Sequence, residues 1–382
     1  MSQAAISFGE DLVRELSTSL HEPGWLTESR LDSLRSYMEL PPETNPLYTK
    51  YAKTFGFPVD QFKMTTSKSA VDFRTFFSGF LTGNESDIIL QGNETQVHAE
   101  LRSELASKGV SLMSFHEALG AEEARVRALV EGRKVKSSGD RFAAFANAFF
   151  NGGVFVRVPR GVALDRPLRR MLLLDSPRTP VIEQVFVIAE EDSRLIFLEE
   201  LYSKGTSAPS LVASNLELIA RPGSHVDFSA IQLLDEQATH ITNRAVDVSN
   251  DARATVSSLS LGASVSRSRM NFLLNGRGSV AEGFEIFFTD AAQRYDFETN
   301  LVHNSPDSTG STQARGVLKG ESQSIFKGMI KIVNAAKNSR SYLAHHAMLL
   351  ERTAKSDGVP SLEIDNNEVR ATHSASVAQI DE

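Results

Sequence analysis

The side chains that could do chemistry in this sequence are histidines and carboxylates, since its 382 residues include nine histidines and no cysteine. The lack of cysteine excludes disulfides, cysteine nucleophiles, and zinc or iron–sulfur sites held by thiolates of this chain. His345 and His346 are adjacent in a predicted strand, so their side chains point to opposite faces and cannot chelate one metal ion together. We therefore interpret this pair as structural.

A second candidate set is carried by the run Asp296-Phe297-Glu298. Its carboxylates are two residues apart, which places them on one face of a strand, where they could act as an acid–base pair or as metal partners. With Arg294 they would form the site of a carbohydrate-active β-helix enzyme, a lyase or a glycosidase. A solvated strand face is the competing interpretation.

The third candidate is His373, near the end of the chain. Leu362 and Ile364 alternate with acidic residues as one predicted strand, and a second strand begins near Val369 after an Asp-Asn-Asn turn. Small residues follow the histidine from Ser374 to Ser376. They leave room for another molecule or strand to approach the imidazole.

The elements that must position these residues change in character near residue 140. Before it, apolar spacing predicts two amphipathic helices separated by a break at Pro23-Gly24, and later helices over 97–107 and 116–131. A further helix over 139–150 is predicted to end in a glycine cap and turn at Gly152-Gly153. The sequence therefore predicts a helical or α+β domain over 1–140 and a second domain over 141–382.

The second domain is a series of short strands separated by turns. Turns that contain a small residue and are followed by a strand recur along the domain. Successive turns of this kind are 30, 29, 26, 44 and 31 residues apart. A period of this size predicts a β-helix solenoid, in which each unit buries its apolar face only by stacking on its neighbours. A large jelly-roll sandwich is the alternative, and the 44-residue interval is either an extra half-coil or a loop.

Composition and motifs narrow the classes of function. The net charge of -8 gives no general attraction to nucleic acid or anionic lipid. The N-terminal segment has no apolar run of signal-peptide length, and no segment approaches the ~18 apolar residues of a membrane span, so we expect a soluble, cytoplasmic protein that binds neither membrane nor nucleic acid. The absence of GxxxxGK[ST], GxGxxG, GxSxG and HExxH motifs argues against nucleotide hydrolases, dinucleotide enzymes, α/β hydrolases and zincins.

The terminal segment PSLEIDNNEVRATHSASVAQID resembles the signature P-x-LEI-x-x-DDV-x-C-x-H-G-A-T-V-G-x-LD of the SufB/SufD family of the SUF iron–sulfur cluster assembly system. Four further stretches resemble segments of the same family, in the family's order: 22–43, 142–168, 216–232 and 316–332. The resemblance covers most of the chain. It implies a right-handed parallel β-helix core that follows an N-terminal helical domain.

Within that family the sequence resembles SufD more than SufB. The run FAAFANAF is similar to the SufD segment before the β-helix, and the lack of cysteine does not fit the sulfur-accepting thiolate of SufB. Ala371 stands where relatives often carry cysteine, while the signature histidine is retained as His373. The resemblance implies a non-catalytic scaffold that pairs with a SufB homologue, with ATP hydrolysis supplied by the SufC ATPase.

The same resemblance assigns a role to His373. It would lie at the interface with SufB and bind iron of a transient iron–sulfur cluster, with no cofactor expected on the isolated chain. A neutral imidazole is a competent iron ligand. A structural interface histidine and a homodimer remain open alternatives.

The family continues with a helical tail that contacts SufC, whereas this sequence stops at Glu382, so either it is truncated or it lacks the element that docks SufC.

Overall fold

The structure of this chain is a computed structural model, which describes residues 8–41, 59–64, 75, 77–81, 86–92, 97–176, 178–205 and 208–380. In this part of the chain the strands form two sheets. Sheet A has the order β19-β17-β15-β13-β11-β9-β7-β5-β1-β2, and sheet B has the order β18-β16-β14-β12-β10-β8-β6-β4-β3. The strands are β1 (Ile88–Gly92), β2 (Val97–Glu100), β3 (Ser111–Ser114), β4 (Gly152–Val158), β5 (Leu168–Leu174), β6 (Val181–Ala189), β7 (Arg194–Ser203), β8 (Ser210–Ala220), β9 (His225–Leu233), β10 (Ala238–Val248), β11 (Arg253–Ser260), β12 (Val265–Leu274), β13 (Val280–Thr289), β14 (Arg294–His303), β15 (Thr309–Leu318), β16 (Gln323–Ile332), β17 (Arg340–Leu349), β18 (Lys355–Ile364) and β19 (Arg370–Gln379).

The architecture is a parallel β-solenoid of about 8 coils, each made of one strand from sheet B and one from sheet A. From β4 onward every strand pairs in parallel with the strand two places away in sequence, as β10 does with β8 and β12. The jelly-roll alternative is wrong, because its sheets are antiparallel. The 44-residue interval holds β13, β14 and β15, which is one coil and the predicted extra half-coil.

Stacking of like residues explains why these strands form coils. Side chains alternate between the solenoid interior and its outside, and the interior rows are apolar. Phe197 of β7 and Phe228 of β9 are paired in register, and their rings lie 5.8 Å apart. At the corners the chain turns with positive φ, as at Asp192 and Gly223. Gly223 has φ +70, a backbone conformation that glycine adopts without strain, and a Cβ atom there would also displace the side chain of Asp192, whose Oδ1 would lie 2.3 Å away.

The helices of the described residues precede the solenoid. They are α1 (Glu10–Ser19), α2 (Gly24–Glu39), α3 (Ser103–Ser107), α4 (Phe115–Ala121), α5 (Glu123–Glu131) and α6 (Arg141–Phe149). Aromatic residues of α6 pack with outward-facing residues of β6 and β8, so the helices cover part of the outside of sheet B. No helix in the described ranges is long and apolar enough to cross a membrane.

The helix predictions are confirmed in part. The first two helices, the break at Pro23-Gly24 and the helix ending near 150 are confirmed, whereas 116–131 forms two helices. The helix predicted over 97–107 is wrong at its start, because Val97–Glu100 is a strand paired with β1. The predicted glycine turn is also wrong. Gly153 lies in β4, where a Cβ atom would sit 2.0 Å from the Gln184 carbonyl oxygen. The boundary at residue 140 stays a prediction.

A buried ion pair joins α2 to the segment before it, and its arginine contacts α6. Arg30 and Glu22 are fully buried, with Nη2 of Arg30 2.6 Å from Oε1 of Glu22. Arg30 also donates to the carbonyl of Ala148 at 3.0 Å and lies over the Phe150 ring. Burial alone would raise the pKa of Glu22, but the charge of Arg30 and hydrogen bonds from Arg30 and His116 lower it to about 2.

Glu22→Gln is expected to destabilise the protein by roughly 3–5 kcal/mol, because it leaves Arg30 buried without its counter-charge. Since the folded-state pKa lies below the usual 4.5, the stabilisation is present above about pH 4.5 and is lost as the pH falls towards 2. Urea unfolding at pH 7 and pH 3 measures both effects. The control is Glu10→Gln in the exposed pair with Arg14, which we expect to cost at most about 0.5 kcal/mol. Equal losses in the two variants would contradict the assignment.

Candidate functional site

The two ends of the solenoid differ in how their strands are covered. At the first coil, β3 pairs antiparallel with β4, and β1 and β2 extend sheet A beyond β5. At the last coil, β18 and β19 are the edge strands of the two sheets among the described residues. Their outer backbone groups can pair with a strand of another chain. We call this coil, residues 355–379, the open end.

The open end exposes side chains that belong to the interior rows. Leu362 and Ile364 lie in register with Ile330 and Ile332, which are fully buried in the solenoid core. No other coil of the described residues is stacked above them, and Leu362 and Ile364 are 41% and 39% exposed, while Val377 of β19 is 43% exposed. Apolar side chains beside unpaired strand edges mark an interaction surface. The sequence reasoning missed these residues, although their alternation within a strand was visible.

His373 lies on the interior row of β19, at the rim of the open end. It is paired with Leu343, which is buried in the core of the preceding coil. Ala371, two residues earlier, packs against that core, so His373 points to the same inward face. Its side chain is exposed among the described residues. The small residue Ser376 is hydrogen-bonded through its Oγ to Nδ1 of His346, at 2.7 Å.

The donor set of the open end is small. The described part of the chain has no group of three or more histidine, cysteine, aspartate or glutamate side chains able to hold a metal ion. A single imidazole such as that of His373 has one lone pair with which to bind a metal ion. The chemistry of the imidazole fits iron, and Ala371 on the same face offers no donor.

The two carboxylates that would serve a carbohydrate-active enzyme lie on the outer face of the solenoid and form ion pairs. Asp296 and Glu298 share the outward face of β14, as predicted. Asp296 is buried against Lys327, with Oδ1 2.7 Å from Nζ, and Glu298 lies 3.1 Å from Nε of Arg269. Arg294 is exposed and donates to Gln323. These contacts hold neighbouring coils together, so they do not favour a carbohydrate-active site.

The adjacent histidines of β17 point to opposite faces, as predicted. His345 is fully buried in the interior, and His346 faces outwards. Burial lowers the pKa of His345 to about 4, with a further contribution from the charge of His346. His345 is therefore neutral at pH 7.

Comparison with known proteins agrees with this architecture. Residues 172–382, more than half of the chain, match the family described as SUF system FeS cluster assembly, SufBD core domain. An iron–sulfur cluster assembly SufBD family protein of Staphylococcus aureus strain MRSA252 is 23% identical over 387 residues, covering 98% of this chain and 82% of that protein. A protein with the same description from Staphylococcus haemolyticus strain JCSC1435 is 23% identical over 391 residues, with the same coverage. The open end lies inside the matched region.

Proposed function

This chain belongs to the SufBD family of iron–sulfur cluster assembly proteins, and from that premise we propose that it is a SufD-like, non-catalytic scaffold subunit in the cytoplasm. Its partners are a SufB homologue, which docks on the open end, and the SufC ATPase, which supplies ATP hydrolysis. The cargo is a nascent iron–sulfur cluster that forms between this chain and the SufB homologue.

The observation that carries the proposal is the uncovered interior of the last coil. Leu362, Ile364 and Val377 are each about two-fifths exposed, next to two strand edges. A partner solenoid that adds strands to β18 and β19 would bury these side chains and pair the edges at the same time. His373 lies on this surface and would face such a partner.

The assignment to the SufD side rests on the residues that the chain lacks. A subunit without cysteine cannot accept sulfur on a thiolate, so the sulfur-accepting group must lie on the partner. His373 would supply a neutral imidazole for iron, and the partner would supply the other donors. This division of ligands explains why we expect no cluster on the isolated chain.

Co-expression with a SufB homologue and SufC of the same host, with the affinity tag on the SufB homologue, tests the proposal. We expect this chain to elute with both proteins, and native mass spectrometry to give a complex with one copy of this chain for each SufB homologue. A chain that stays out of the complex and purifies only alone or as a homodimer would reject the proposed pairing.

A further inference from the structure

A second imidazole lies inside the solenoid, next to His373 and one coil below it. His345 sits on the interior row of β17 and is paired with Ala375 of β19, two residues after His373. Its side chain is fully buried, and its ring stacks on Phe326 with the centroids 5.0 Å apart. Given strand spacings of about 4.8 Å and a rise of about 3.3 Å per residue, the Cα atoms of His345 and His373 lie about 8 Å apart.

The ring nitrogens of His345 differ from those of a comparable interior histidine. His303 is equally buried, but its Nδ1 is bonded to Ser308 Oγ at 2.8 Å and its Nε2 to Ser341 Oγ at 3.0 Å. Within the described residues, neither nitrogen of His345 has a hydrogen-bond partner. A buried polar group without a partner destabilises a fold, so packing on Phe326 alone does not account for a histidine at this position.

Two small residues of the last coil, Gly358 and Ala375, lie next to His345 on the side of the open end. A Cβ atom added to Gly358 would be 2.7 Å from Nδ1 of His345 and 3.1 Å from Cβ of Ala375. Any side chain at position 358 would therefore cover the imidazole. Glycine at position 358 lets Nδ1 of His345 lie close to the last coil, which also carries His373.

We propose that His345 is a second iron-binding imidazole of the open end, which turns away from Phe326 and shares the iron of the cluster with His373 when the partner docks. This inference rests on the proposed function, because the remaining ligands come from the SufB homologue. Coordination uses the lone pair of a neutral imidazole, so no redox step is involved. At about 8 Å between Cα atoms on the inner face of two neighbouring strands, both rings can reach one ion.

The test is His345→Phe in the co-purified complex. Phenylalanine keeps the stack on Phe326 and removes the two unpartnered nitrogens, so we expect the thermal stability of the chain to be no lower than that of wild type. We expect the complex to form but to lose most of its iron and acid-labile sulfide. Pulsed electron paramagnetic resonance of the reduced cluster should show two histidine nitrogen couplings in wild type and fewer in the variant.

His303→Phe is the matched control, because it changes an equally buried histidine whose nitrogens are both bonded. It should lose stability and keep its iron, which is the reverse of the pattern for His345→Phe. If His345→Phe keeps the iron content and both nitrogen couplings, the inference is wrong while the proposed function stands. If wild type forms no complex, the proposed function itself fails.

Discussion

His373→Ala is expected to leave the complex with the SufB homologue intact and to reduce its iron and sulfide at least about tenfold, because even the loss of an outer-shell partner lowers metal affinity by about 10- to 100-fold. The side chain is exposed at the rim, so its truncation should change the stability of the chain by no more than about 0.5 kcal/mol. The measurement is anaerobic co-purification followed by quantification of iron and acid-labile sulfide per complex.

Thr372→Ala is the control for this variant. Thr372 is exposed on the same strand but faces outwards, so its truncation should leave both the complex and its cluster unchanged. An iron content equal to wild type in the His373→Ala complex would show that His373 is an interface histidine without a ligand role. Loss of the complex itself would assign the histidine to docking instead.

The double variant Leu362→Asp, Val377→Asp is expected to abolish the complex. Both side chains lie on the interior rows of the last coil, on opposite sheets, and both would be buried by a partner coil. Burying an unpaired carboxylate in an interface is costly, and the variant buries two of them, so the dissociation constant should rise by at least about a hundredfold. Affinity measured by biolayer interferometry against the immobilised SufB homologue gives this number.

Ile286→Asp provides the matched control for docking. Ile286 is 50% exposed on the outward face of β13, far from the strand edges of the open end. It adds one carboxylate, half of the charge added by the double variant, at a similarly exposed apolar residue, and its affinity should match wild type. If Ile286→Asp weakens binding and the double variant does not, the interface lies on the outside of sheet A instead.

The solenoid could be predicted from the sequence because its turns repeat. Corners such as Pro222-Gly223 need a left-handed residue, and these residues recur once per coil, so the period was visible without any contact information. Even the irregular 44-residue interval was informative, because β14 lies inside it. Short sequence patterns were less reliable where the structure depends on pairing with residues distant in the sequence. Gly152-Gly153 was predicted to be a turn, but the packing of β4 against β6 determined its structure.

The candidate site was only partly predictable for a related reason. His373 could be singled out by its small neighbours and by its place in a family signature. The exposed interior residues of the last coil could not be singled out from the sequence. Leu362 lies in the same alternating pattern as Ile330, and the two differ only in whether a described coil is stacked above them. Similarly, Asp296 and Glu298 were correctly placed on one strand face, but their ion-pair partners Lys327 and Arg269 come from neighbouring strands.

The central claim, that the partner docks on the open end, is tested most directly by cross-linking within the co-purified complex. Because the chain has no cysteine, one introduced cysteine is its only thiol. Val377→Cys and Ile286→Cys, labelled with a short thiol-reactive photocross-linker, place the probe on the open end and on the outside of sheet A. We predict a cross-link to the SufB homologue from position 377 and none from position 286. A cross-link from position 286 alone, with the complex intact, would contradict the account.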